Sequence, residues 1–241
     1  MTTLMFYDKP VALNREVHKS FKIAPSNDFK FAAKTNSIAL AGVEFIEAAK
    51  EYPIVFAKIT EDLMIPVALL SLRNDENLYV NGEGKWDSRY IPAYVRRYPF
   101  VLAESGGQQF TVCIDEGFSG LNEADGQPLF DDKGENTQFL QNALDFLNNY
   151  QTQIKLTEGF VRQLKELDLL TEISAKAELL GGEKYLLGGM MIVDEQKLLK
   201  LSQEKIYELF QGGRLGWIYM HLISLSNLSR LIDKMQPAKA A

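Results

Sequence analysis

The order of apolar and polar positions separates a strand-rich first part of the chain from a helical second part. Residues 41–50 (AGVEFIEAAK) set Val43, Ile46, Ala49 and Lys50 at spacings of three to four. That is the period of a helix, and Pro53 closes it. Residues 54–58 (IVFAK) and 66–72 (PVALLSL) are short unbroken apolar runs of strand length. Residues 77–80 (NLYV) predict a third strand, entered through the turn 73–76 (RNDE) and left at Asn81 and Gly82, which tolerate positive φ. Together they predict an antiparallel hairpin or meander. Residues 21–23 predict a short strand before them.

Further on, Pro92 and Pro99 bracket a predicted helix over 91–98. Residues 100–103 and 110–114 (FTVCI) predict a strand pair across 104–109 (ESGGQQ). Residues 115–136 carry Gly117, Gly120, Gly126, Pro128 and Gly134, so they predict a turn-rich surface excursion. Two helical stripes follow. One is Phe139, Leu140, Ala143, Leu144, Phe146 and Leu147; the other is Phe160, Val161, Leu164, Leu167 and Leu170. Residues 175–180 and 184–187 flank Gly181 and Gly182 as a second hairpin, and 190–193 add a strand. Ser202 is placed to cap a helix over 203–211, ended by Gly212 and Gly213. A last helix spans about 215–235, and residues 237–241 form a frayed tail.

This pattern predicts an α+β fold. An antiparallel sheet of hairpins in the N-terminal half packs with a mainly helical C-terminal half. No Pro/Ser-rich linker interrupts the chain, which favours one composite domain over residues 1–236; a split into two lobes near Asp131 is the alternative.

Composition narrows the function classes. The 241 residues are 46% hydrophobic and 24% charged, ordinary for a globular protein that needs neither metal nor disulfide to fold. The net charge of -6 argues against a nucleic-acid partner and gives no polybasic membrane anchor. No apolar run approaches the roughly 20 residues of a membrane span. The first ten residues lack the basic and apolar regions of an export signal. The expectation is a cytoplasmic protein, or one exported to the cell surface without such a signal.

Chemistry-bearing residues are scarce. Cys113 is the sole cysteine and His18 and His221 the sole histidines, so no disulfide, metal site or cofactor is expected. Cys113 reads as a buried structural thiol. His221 reads as a core histidine on the stripe of Ile218, Leu222 and Leu225, and His18, beside Arg15 and Lys19, as exposed. Phosphate-loop, dinucleotide and nucleophile-elbow motifs are absent. The densest segment is 82–100 (GEGKWDSRYIPAYVRRYPF). Trp86, Tyr90 and Tyr94 there, with Arg96 and Arg97, suit stacking and bidentate anion recognition, and Asp115 completes a candidate ligand or partner site. The same residues also fit a structural reading. Tyr90, Tyr94 and Tyr98 at i, i+4 and i+8 would form a buried stripe, with Arg96 and Arg97 paired to acids such as Asp115 or Glu116.

The residues that stand out resemble the bacterial SapC family. They are Glu44 and Phe45 with Ala48 and Ala49, the run 52–56 (YPIVF), Asn77, 84–86 (GKW), 90–100 (YIPAYVRRYPF), 113–116 (CIDE), 126–130 (GQPLF), Gly134, Thr157, Phe160 and 221–225 (HLISL). The resemblance covers nearly the whole chain. It implies a role tied to bacterial surface layers, in export or assembly. It also implies a non-catalytic accessory partner of surface-protein or peptide modification, because such members sit beside cupin-like dioxygenases and TonB-dependent receptors. It supplies no catalytic residues. The peptide-uptake permease that shares the name is a different, membrane-spanning protein. A protein or peptide partner is therefore expected; the alternative is an enzyme or small-molecule sensor whose aromatic and arginine pocket takes an anionic peptide or metabolite.

Overall fold

The structure, a computed structural model, describes residues 5–104, 110–173, 175–178 and 184–236. The first part of the chain contains β1 (Pro10–Ala12), β2 (Lys22–Ile23), β3 (Ser37–Ala39), α1 (Phe45–Ala48), β4 (Ile54–Lys58), β5 (Met64–Leu69), α2 (Ala93–Arg96), β6 (Phe100–Glu104), β7 (Phe110–Asp115), β8 (Leu121–Asn122) and β9 (Gln127–Pro128). The second contains α3 (Gln138–Glu166), β10 (Leu170–Glu172), β11 (Ala175–Glu178), β12 (Lys184–Leu187), β13 (Met190–Val193), α4 (Glu195–Leu198), α5 (Gln203–Gln211), α6 (Arg214–Ser224) and α7 (Asn227–Met235). Sheets lie mainly in the first half and helices in the second, which is the α+β arrangement the pattern predicts. No helix of the described residues is long and apolar enough to cross a membrane.

A five-stranded sheet in the order β10-β13-β4-β5-β3 holds the main core, with every adjacent pair antiparallel. The hairpin β4–β5 lies at its heart, with Val55 opposite Val67. Ile54, Val55 and Phe56 are all fully buried, because the sheet is covered on both faces. A second sheet, β1-β7-β6, carries the predicted strand pair. Helix α3 serves both regions. Thr137 caps its start by accepting from the Leu140 N–H. Leu140 and Leu147 pack with Ile23, Phe100, Ile114 and Leu129, whereas Phe160, Val161 and Leu164 join the main core.

Two contacts fasten α3 and the C-terminal helices to the start of α1. The Gly42 N–H donates to Thr157 Oγ1 at 2.8 Å. A Cβ at Gly42 would stand 2.5 Å from the ring of Trp217 on α6, so only glycine admits that ring. Trp217 is itself held by Phe45 and Phe160, at 6.2 and 5.3 Å between ring centres.

The residues 221–225 close a gap in the sheet. Strand β13 pairs with β4 only at Phe56 and Ala57, leaving Ile54 without a strand on that side. Side chains of α6 take its place. Ile54 N–H donates to Ser224 Oγ at 3.0 Å, and Ile54 C=O accepts from His221 Nδ1 at 2.8 Å. Val193 N–H donates to His221 Nε2 at 3.0 Å. These partners place the imidazole proton on Nδ1. Burial holds the ring neutral, pulling its pKa down to about 4. His221 is thus the core histidine its stripe suggests.

Four local expectations need correction. Residues 77–80 form no strand. Asn77 is buried and accepts from the Tyr79 N–H while donating to Ala32 C=O, so its side chain bends the chain away from a ladder. Only Val80 pairs, as a single bridge to Trp86. The two helical stripes are one helix as far as Leu164, since Tyr150, Ile154 and Thr157 carry the three-to-four spacing from Leu147 to Val161; the helix ends at Glu166, and Leu170, placed on the second stripe, starts β10. The last predicted helix is two, broken at Leu225 and Ser226. His18 is buried, with its Nδ1 accepting from Asn14 N–H at 2.9 Å, because the chain turns tightly over it. The Gly181 and Gly182 turn and the tail 237–241 lie outside the described residues.

Candidate functional site

Segment 90–97 is set by a buried carboxylate. Glu44 ends the short 3-10 turn Gly42–Glu44, and its Oε2 accepts from Ala41 N–H at 2.8 Å. Oε1 accepts from Tyr90 Oη and from Ala93 N–H, both at 2.7 Å. Burial raises the Glu44 pKa, against the pull of those donors. With Pro92 at its N-cap, α2 makes a single turn, and Arg96 Nε folds back to donate to Ile91 C=O at 2.9 Å.

A one-turn helix cannot hold three tyrosines on one face. Tyr90 reaches Glu44. Tyr94 stacks under Arg97, whose guanidinium carbon lies 3.8 Å from the ring centre. Tyr98 stacks on Phe31 at 4.1 Å and donates to Asp115 Oδ2 at 3.0 Å. The single buried stripe is therefore replaced by three separate anchors, all partly buried.

The two arginines are held by rings. Besides Tyr94, Arg97 lies 5.7 Å from the Tyr150 ring and 5.9 Å from that of Tyr7. Its Nε–H is buried with no acceptor, and among the described residues no carboxylate lies within ion-pair distance of it. Arg96 is exposed and lies 5.2 Å from Phe146 and 5.9 Å from Tyr90. Such contacts are worth roughly 0.5–2 kcal/mol each, more where water is excluded.

Three clefts meet at this pair. One of about 250 Å³ runs along α3 between Glu44, Tyr90 and Arg96 on one side and Phe146, Asn149 and Gln153 on the other. A mostly apolar one of about 180 Å³ is lined by Leu40, Met64, Ile65, Tyr94, Arg97 and Ile154. A third of about 370 Å³ has both arginines with Phe100, Phe139 and Phe146.

Trp86 and Asp115 are placed elsewhere. Trp86 donates to Tyr52 Oη at 2.9 Å, and Tyr52 donates in turn to Tyr90 C=O. Its other side borders a polar cleft of about 700 Å³ with Tyr79, Arg230 and Lys234. Asp115 is fully buried. Its Oδ1 accepts from Lys9 N–H at 2.7 Å and Gly117 N–H at 3.0 Å, and its Oδ2 from Asp8 N–H at 3.1 Å and Tyr98 Oη. It clasps β1 to β7 and pairs with neither arginine. Nor does Glu116, which holds Lys9 at 2.6 Å and lies 3.5 Å from His18 Nε2.

The structure thus brings Tyr90, Tyr94, Arg96 and Arg97 together and leaves Trp86 and Asp115 apart. It adds Glu44, Phe146 and Tyr150. Glu44 had a signal, an acid three residues after the start of a helical run. Phe146 and Tyr150 had only their place on a helical stripe. Cys113 is buried, and burial raises its thiol pKa, as a structural cysteine requires. Among the described residues no group of three acids, histidines or cysteines is placed to hold a metal ion.

No curated protein and no solved structure gives a significant match to the chain. A family model does: the SapC model matches residues 13–231, from just after β1 to within α7, and spans all three clefts at Arg96 and Arg97. The chain belongs to the SapC family.

Proposed function

We propose that this chain is a non-catalytic binding or assembly protein, an accessory factor linked to the bacterial surface layer or to export and modification of surface proteins. In this reading it grips an anionic group of its partner through Arg96 and Arg97. The observation that carries the recognition part is Arg97, a guanidinium among three tyrosine rings, with no ion-paired carboxylate among the described residues, on the wall of two clefts. A cation held by ring faces keeps its in-plane donors for a carboxylate or phosphate. The link to the surface layer is supported by family membership alone.

A small-molecule sensor or enzyme for an anionic metabolite is the second reading. It is favoured by the concave geometry around both arginines. The test is quantitative affinity purification from the native cell with wild-type protein and Arg96→Ala. Arg96 is exposed, so losing its ring contacts and its bond to Ile91 C=O should cost only about 1–2 kcal/mol and leave the fold intact, checked by melting. Loss of a specific partner by about tenfold supports the first reading. Unchanged capture of every partner overturns it.

A further inference from the structure

The cleft beside Arg97 differs from its neighbours. Its walls are Leu40, Met64 and Ile65 from the β3–β5 edge of the sheet and Ile154 and Val161 from α3. At about 180 Å³ it is smaller than the roughly 300–1,000 Å³ of ordinary small-molecule sites. It has room for a single aliphatic side chain and a small polar head. The cation among its lining residues is Arg97, whose buried Nε–H has no acceptor. An unsatisfied buried donor costs about 1–3 kcal/mol, so this cation is kept in place at a stability cost. Besides Tyr94 and Tyr150, the polar residues of the lining are Gln151, Thr157 and Glu158. The Thr157 hydroxyl is already committed to Gly42 N–H and Gln153 C=O. Glu158 is exposed and offers an acceptor.

We propose that this cleft captures the C-terminal carboxylate of a partner chain whose last residue is aliphatic, with the carboxylate on Arg97 and the side chain between Leu40, Met64, Ile65 and Val161. This deepens the reading above and rests on it. Three features select a chain terminus over a free fatty acid. The volume stops at about one side chain. Glu158 and Gln151 put acceptors in the lining, for which a peptide has amide N–H donors and a fatty acid has none. The Glu158 charge also disfavours an anion lacking such donors. Capture of a terminal carboxylate beside a side-chain pocket is a recurring mode of peptide recognition.

The experiment uses calorimetric titration of the full chain with four probes at millimolar concentration. These are acetyl-Gly-Gly-Gly-Leu with a free carboxylate, the same peptide as its C-terminal amide, the same peptide ending in Asp, and octanoate. The free acid ending in Leu should bind, and each of the other three should bind at least about tenfold more weakly, as expected for loss of a charge-assisted pair or an apolar contact. The amide arm uses unaltered protein, so it holds even where a variant fails to fold. Arg97→Gln and the cleft-filling Ile154→Phe, each checked by melting, should lose binding to the same extent. Equal binding of acid and amide overturns the inference, as does tighter binding of octanoate. Silence of every peptide overturns it too. The proposed function survives any of these outcomes if Arg96→Ala still releases the native partner, and falls separately if it does not.

Discussion

His221 makes a quantitative test of the fold. The imidazole is neutral and bridges Ile54 and Val193 in the core. Its pKa is about 4 in the folded chain against 6.5 for the free side chain. Below pH 6.5 the unfolded chain takes up a proton that the folded chain refuses. Stability is therefore fully present above about pH 6.5 and is lost as pH falls from there towards 4. At about 1.4 kcal/mol per pH unit, the gap is worth roughly 3 kcal/mol, with about 2 kcal/mol of it gone by pH 5. The comparison protein is His221→Gln, which does not titrate. At neutral pH it should already be about 1–3 kcal/mol less stable, since Ile54 C=O and Val193 N–H lose their partner. Urea unfolding of both proteins between about pH 7 and about pH 4.5, followed by tryptophan fluorescence, gives the difference in stability at each pH. Every other titrating group is common to the two proteins and cancels. The difference should shrink by about 2–3 kcal/mol across this range. A difference that stays constant with pH would refute the neutral, buried assignment of His221.

Three further substitutions, one of them with a rescuing second change, probe the supports of the fold around these clefts. Asp115→Asn turns one acceptor oxygen into a donor facing two donors of its own, and should lower stability by at least about 2 kcal/mol in denaturant melts. Glu44→Gln should cost about 1–3 kcal/mol near pH 4. That cost should shrink as pH rises, because a carboxyl with a raised folded pKa stabilises the protein below its ordinary range and loses the effect on ionising. Gly42→Ala forces a methyl into the Trp217 ring and should cost about 1–3 kcal/mol. Trp217→Leu in the same chain should recover part of that loss, measured by thermal melting.

Elements with a strong period or a short apolar run were readable from sequence. Strands β4, β6 and β7 and helix α5 fall within a residue of the positions their apolar and capping residues predict, and β5 within two or three. What failed did so for long-range reasons. Asn77 carries strand-like neighbours, yet its side chain is drawn to Ala32, 45 positions away. The middle of α3 looks polar because its buried face there is Tyr150 and Thr157. His18 sits among charges in sequence and under a turn in space. Among the candidate residues, the interleaving of cations with rings drew out Tyr90, Tyr94 and the pair Arg96 and Arg97, which the structure brings together. Distance misled for Trp86 and Asp115, which are close in sequence to that pair yet serve other parts of the fold. Glu44, Phe146 and Tyr150 arrive from 40 to 60 residues away, so the local signal each carries, a capping acid or a place on a helical stripe, does not say that they meet Tyr90, Arg96 and Arg97.

The contact of Gly42 with Trp217 also constrains how related chains can diverge. The two positions lie 175 residues apart and touch through one face of an indole. A side chain gained at position 42 is tolerable only in a relative whose residue 217 has shrunk. A glycine retained there beside a smaller residue would open a hole between α1, α3 and α6. The two sites should thus drift as a pair through the family's history, and an alignment in which they vary independently would mean that this docking of helices is peculiar to a subset of its members.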